Sequence, residues 1–176
     1  MHFHETIIQD IPIPRFLLLA VLICFSQVCF SQQYHGVVVI RIHDGDTITA
    51  QIAEGNRIQV RLSGIDAPEL KQEYGIESRN ALIAMLKNET PTLDCFKTDR
   101  YQRKVCRIFT NSGTDVPLQM ITTGNAWWYR NYAKDQTLEE REKYSVAEES
   151  ARSQRFGLWS LVAAAPWDWR AAQKKN

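Results

Sequence analysis

The 176-residue chain has no excess charge of either sign, no apolar run long enough to cross a bilayer, and no Cys-x-x-Cys pair. Lys and Arg number 21 against 20 Asp and Glu, a net charge of +1. Such a total carries no electrostatic preference for nucleic acid or anionic membranes, although it is silent on where the charges sit. The longest apolar run, Phe16 to Phe25, covers about half of a hydrocarbon core, which excludes a multi-span membrane protein. Four cysteines without Cys/His spacing argue against a zinc site. With only 8 glycines and 6 prolines, and no internal repeat, the chain is neither collagen-like nor low in complexity. What remains is ordinary: 44% hydrophobic and 23% charged residues, enough chain for one domain with a real core.

Residues 1–31 read as a leader rather than as part of the fold. Arg15 precedes the apolar run and small residues follow it, the pattern of a secretory signal peptide. Small residues at −3 and −1 permit cleavage after Ser26 or after Ser31. Retention as an N-terminal anchor and lipidation at Cys29 are the competitors, but Ser-Gln-Val before Cys29 matches a lipidation site poorly. Removal of the leader takes away Arg15, Glu5 and Asp10 and shifts the net charge from +1 to +2. The expected product is secreted or periplasmic, a monomer with no stable membrane association. It spans a domain over 34–170 and a flexible basic tail over 171–176.

The remaining chain places strands first and helices later. Val37 to Ile42, Thr47 to Ile52 and Arg57 to Ile65 are β-branched runs broken at Asp44-Gly45 and Glu54-Gly55-Asn56. Ser78 to Lys87 has helical apolar spacing, and Thr92 to Lys97 and Lys104 to Thr110 read as a second hairpin. Val116 to Thr123 is a short helix. Thr137-x-x-Glu140 is a capping box that opens a longer helix to about Arg155, with Tyr144, Ala147 and Ala151 as its apolar stripe. The pattern predicts an α+β chain built on an OB-fold, a five-stranded Greek-key β-barrel with about three helices. Symmetric pairing of the second hairpin sets Cys95 and Cys106 nearly opposite each other. A cross-strand disulfide is then geometrically allowed, with two reduced buried cysteines as the alternative.

The polar constellation begins at His43-Asp44-Gly45-Asp46-Thr47 and resumes at Arg61-Leu-Ser-Gly-Ile-Asp66-Ala-Pro-Glu69. Either stretch alone is good turn or strand-exit chemistry. Together they offer hard carboxylates from two strand ends, as a Ca²⁺ site with open water positions requires. Arginines match the oxygens of a phosphodiester, and Arg61 and Arg103 are available. The bland reading of Arg61 is a structural ion pair, and that of Arg103 an exposed hairpin charge. No Ser/His or Cys/His arrangement competes, and neither His35 nor His43 is expected to be essential.

These motifs resemble the staphylococcal nuclease (thermonuclease) family. The likeness runs through Asp44-Gly-Asp46-Thr47, Arg61-Leu-x-Gly-Ile-Asp66-Ala-Pro-Glu69, Asp99-Arg-Tyr101-x-Arg103, Gly124-Asn-Ala-Trp-Trp-Tyr-Arg-Asn-Tyr132, Gly157-Leu-Trp159-Ser and Pro166-Trp-Asp-Trp-Arg170. It covers roughly Gly36 to Arg170. The resemblance implies a Ca²⁺-dependent endonuclease on an OB-type barrel, cutting DNA and RNA with little sequence preference to leave 3′-phosphate ends. It implies Asp46 and Asp66 as calcium ligands, with Ala67 supplying a backbone carbonyl. Glu69 matches the carboxylate that activates or positions water, and Arg61 and Arg103 match the phosphate-holding arginines. Arg100, Tyr101 and Tyr132 fall at substrate-binding positions.

Two departures stand out. Gln102 occupies a position that is usually Gly, which is strained if the turn requires φ > 0 and puts the reach of Arg103 in doubt. Arg100 replaces a Lys. Among the aromatics, at least one of Trp127 and Trp128 is expected in the core and Tyr132 at the substrate, with Trp159, Trp167 and Trp169 packing the tail. The alternatives to a nuclease are a catalytically silent OB-fold nucleic-acid-binding module and an exported OB-type domain that binds protein or glycan.

Overall fold

The computed structural model describes residues 31–174; the expected leader lies almost wholly outside the described residues. Three strands, β2 (Val38–Ile42), β3 (Thr47–Gln51) and β4 (Arg57–Leu62), form an antiparallel meander. The second pair is β6 (Thr92–Thr98) and β7 (Lys104–Phe109), with β1 (Gln32–Tyr34) added along β6. The order across the sheet is β1-β6-β7-β4-β3-β2, joined in the middle by the parallel pair β4 and β7. At the open side the Val37 N–H donates to the Pro91 carbonyl at 3.2 Å, linking the start of β2 to the start of β6. This is the partly open Greek-key OB-fold expected from the five runs.

Alternation decides which face is inside. Ile48, Ala50, Val60, Leu62, Leu93 and Ile108 are all buried and fill the barrel together with Leu82, Met120 and Ile121 from the helices. Truncating any such Leu or Ile to Ala typically costs about 2–5 kcal/mol. Cys95 and Cys106 are directly paired across β6 and β7 and form a disulfide, so the reduced alternative is set aside.

The third run is two strands, not one. Gly64, at φ +74°, turns the chain after Leu62, and Ile65–Asp66 becomes β5, paired with β8 (Trp127–Trp128). The bend matters because it swings Asp66 out of the barrel wall.

Helix α1 (Gly75–Leu86) starts three residues earlier than Ser78, while α2 (Val116–Thr122) and α3 (Leu138–Ser153) lie where expected. Thr137 and Glu140 cap α3 reciprocally, at 3.1 Å and 2.6 Å. Tyr144 and Ala151 of its stripe are fully buried, and Ala147 packs against the core.

A fourth helix, α4 (Pro166–Gln173), stands where only a packed tail was anticipated, so the count of about three helices is one short. Pro166 at its first position supplies a preset φ, and Asp168 and Arg170 suit its two ends. Residues 171–173 of the presumed flexible tail are helical. Trp127 meets Trp159 at 5.3 Å and Trp167 at 6.4 Å, edge to face, which fastens α4 to β8. Both Trp127 and Trp128 are buried.

Candidate active site

The turn between β2 and β3 is built around Asp46. Its N–H donates to Asp44 Oδ1 at 3.0 Å, and its Oδ1 accepts from the Thr47 hydroxyl at 2.9 Å. Its Oδ2 accepts from the Ala67 N–H at 2.7 Å and from Arg61 Nη1 at 2.8 Å. Gly45 is required by close approach, since a Cβ there would overlap Ser78 Oγ and the Ala67 Cβ. Burial, with the neighbouring Asp46 adding to it, pushes Asp44 up to about 7.

Arg61 lies opposite Thr47 in the β3–β4 ladder. Its two arms divide between Asp46 and Asp66, with Nη2 at 2.9 Å from Asp66 Oδ1. Burial disfavours its charge, but Asp46 and Asp66 outweigh that and raise its pKa. Asp66 is fully buried, and burial raises its pKa although Arg170 and Arg61 oppose the shift. The structural ion pair and the site residue are therefore the same arginine, because its partners are the expected metal ligands.

Asp99 holds the turn that presents Arg103. Its Oδ1 accepts from the Tyr101 N–H at 2.9 Å and the Arg103 N–H at 3.0 Å, and its Oδ2 from Arg103 Nε at 2.8 Å. Burial pushes the Asp99 carboxyl up, but these bonds win and hold it below the usual carboxylate range. Gln102 sits at φ +63°, so the turn does need the left-handed conformation. That costs an L-residue about 1–2 kcal/mol. Arg103 reaches the site nonetheless, with Nη1 3.3 Å from Thr47 Oγ1. Tyr101, mostly exposed, lies between two cations, 4.9 Å from Arg100 and 5.4 Å from Arg103.

Glu69 follows Pro68 in the loop between β5 and α1. Its carbonyl accepts from the Gln72 N–H at 2.8 Å. The backbone of Gly75, at the start of α1, passes so close that a Cβ there would overlap this carbonyl. The Glu69 side chain meets Arg170 of α4, whose Nη1 is 2.9 Å from Oε1. The same guanidinium grips Asp66, with Nη2 at 2.7 Å from Oδ2 and Nη1 at 3.2 Å from Oδ1.

All nine expected site residues line one cleft of about 300 Å³: Arg61, Glu69, Arg103, Asp46, Asp66, Ala67, Arg100, Tyr101 and Tyr132. Asp44, Thr47, Tyr129 and Arg170 complete it. A neighbouring hollow of about 350 Å³ shares Arg61, Arg103 and the tyrosines and adds Phe96 and Lys97. His43 bonds Thr49 Oγ1 at 2.8 Å and lies outside the cleft. No role was assigned beforehand to Asp44, Thr47, Tyr129 or Arg170, nor to Asp99, four positions before Arg103, and no local spacing ties Arg170 to Asp66.

Among the described residues no three Asp, Glu, His or Cys side chains form a ready metal cage. The donor set nevertheless fits Ca²⁺, which takes hard oxygens and completes its shell with water. Four carboxylates, Asp44, Asp46, Asp66 and Glu69, line the cleft and supply such hard oxygens.

A model of the family described as "Staphylococcal nuclease homologue" matches residues 59–161. A protein of Escherichia coli O157:H7 named "Uncharacterized endonuclease" is 36% identical over 151 residues, 85% of this chain and 94% of the relative. One of the same name from Haemophilus influenzae is 32% identical over 165 residues, 92% of this chain and 88% of its own. The "Micrococcal nuclease" of Shigella flexneri is 36% identical over 147 residues, 77% and 80% of the two chains. The chain therefore belongs to the staphylococcal nuclease family.

Proposed function

We propose that the chain is a calcium-dependent endonuclease that hydrolyses DNA and RNA with little sequence preference and leaves 3′-phosphate ends. The observation that carries this reading is the meeting of carboxylates and arginines from four separate segments in one cleft. The relatives' names, endonuclease and micrococcal nuclease, agree with it. Export to the periplasm or medium as a monomer is part of the proposal and rests on residues 1–31. Among the described residues no helix is long and apolar enough to cross a membrane.

Asp46, Asp66 and the Ala67 carbonyl are the groups to hold calcium, which when bound supplies Lewis-acid charge at a phosphoryl oxygen. Arg61 approaches from β4 and Arg103 from the turn before β7, and both stabilise the negative charge that gathers on the phosphate as water attacks. Glu69 takes the proton of that water. The bond from phosphorus to the 5′ oxygen breaks, that oxygen leaves as a hydroxyl on taking a proton from solvent, and the phosphate stays on the 3′ side. Arg100, Tyr101 and Tyr132 line the approach, where exposed rings beside cations suit a flexible strand.

Digestion of plasmid DNA and of RNA with calcium, then with chelator, tests the reading. Cleavage that ignores the chelator defeats the calcium role. Binding without cleavage favours a silent nucleic-acid-binding module instead. Glu69→Gln is expected to lower the rate about 10²–10⁴-fold with the fold intact, the usual share of a general base.

A further inference from the structure

Arg170 raises a question that charge balance alone does not answer. Buried Asp66 already has a guanidinium partner in Arg61. Glu69 is about one-third exposed, with water at hand, and needs no cation to neutralise it. Yet one planar group from the far end of the chain spans both carboxylates, through Nη2 to Asp66 and through Nη1 to Asp66 and Glu69. Two adjacent carboxylates repel each other, and a forked cation between them fixes their separation in a way a lysine's point charge does not.

The support behind this arginine is made of packed rings and a hydrogen bond. Helix α4 opens on buried Pro166, and Trp167 packs on Trp127 and, at 5.6 Å, on Tyr129. Gln72, three residues after Glu69, donates to the Ala164 carbonyl just before the helix. The loop that carries Glu69 is therefore held to the C-terminal segment at two places. Among the described residues nothing but Arg170 bonds to the Glu69 carboxylate, and it does so through Oε1.

We infer that Arg170 is a positioning residue of the active site. It fixes Glu69 against Asp66, so that the oxygen Arg170 does not hold is presented to the attacking water. The C-terminal helix is then a working part of the catalytic centre rather than a packed tail. This rests on the nuclease reading above and deepens it.

The test compares the intact chain with Arg170→Gln and Arg170→Lys, in calcium, on a DNA substrate. Groups that orient a reacting residue through hydrogen bonds typically carry 10–100-fold of activity. R170Q is therefore expected to lower kcat by about 10–100-fold while KM moves by less than about threefold, with R170K in between. Added guanidinium ion should restore part of the lost kcat at a temperature where R170Q is fully folded, although loss of the ion pair to buried Asp66 lowers its metal-free Tm. A purely structural role would leave the kcat of fully folded R170Q at the parent's value. Unchanged kcat in R170Q, or a loss confined to KM, overturns the inference while leaving the nuclease assignment standing. If R170Q fails to fold, R170K decides: a parental kcat at parental Tm refutes it. Absence of cleavage by the parent chain defeats the nuclease reading, and this one with it.

Discussion

The Asp46 carboxylate accepts the backbone N–H of Ala67 at 2.7 Å, across 21 residues of chain. This bond ties the first hairpin turn to the residue after β5, and so joins the two carboxylate-bearing segments directly. Asp46→Asn keeps an oxygen to accept that N–H but gives up the charge paired with Arg61 Nη1 at 2.8 Å. Its metal-free Tm is expected below the parent's, because breaking a buried ion pair is destabilising. Calcium at ten times its dissociation constant should stabilise the parent by about 1.4 kcal/mol, and that shift should vanish in D46N. Thermal unfolding with and without calcium reads both effects. An unaltered calcium shift would remove Asp46 from the ligand set.

Gln102 stores strain in a turn that Asp99 over-determines with three hydrogen bonds. Gln102→Gly relieves the left-handed penalty but gains freedom in the unfolded chain, so the net gain is about 0.5 kcal/mol. Gln102→Val, β-branched at positive φ, should cost more than about 1 kcal/mol. Denaturant titration of the three chains orders them. A clear loss in Q102G would mean that the Gln side chain itself contributes.

The Cys95–Cys106 bond closes a short loop, with a sequence separation of 11. Chain entropy sets its worth at about 3 kcal/mol or less. Replacing both cysteines by Ala is expected to lower stability by about that amount and to leave kcat at 25 °C unchanged, since neither sulfur reaches the cleft. A large fall in kcat at full folding would show that the bridge also sets the Arg103 hairpin.

Glu140 links α3 to β7. Arg107 Nη2 donates to its Oε2 at 3.0 Å, Nε bonds Oε1, and the Thr137 N–H reaches Oε2 at 2.6 Å. Burial raises its pKa, but these bonds prevail and hold it below its ordinary value of 4.5. A depressed carboxyl stabilises the fold fully above its unfolded pKa and loses that contribution as pH falls through the folded value. The Tm gap between the parent and Glu140→Gln should be widest near pH 6. It should close as the pH drops below about 4. A gap that persists at acid pH would assign the effect to packing.

Much of the site was legible because its residues sit at the ends of strands whose turns punctuate the chain. Asp46 after Asp44-Gly45, and Arg103 after the Asp99 turn, are local facts that short-range rules reach. The two-residue strands β5 and β8 were not, because a bridge between Asp66 and Trp127 has no periodicity and exists only through tertiary pairing. Gly64 was the one local clue to that bend. Arg170 was the deepest omission: 104 residues separate it from Asp66, and its guanidinium arrives through aromatic docking of α4. Residue spacing encodes turns and faces, and it does not encode which distant cation will fill a gap between two acids.

The parallel register of β4 and β7, with Arg61 beside Val105, sets the order in which this molecule comes to life. A parallel pair cannot zip outward from a turn. It waits until the intervening helix and strand are in place, and long-range pairings of this kind form slowly. Arg61 and Arg103 are brought side by side through this pair, so the two arginines of the cleft depend on a contact that neither hairpin can make alone.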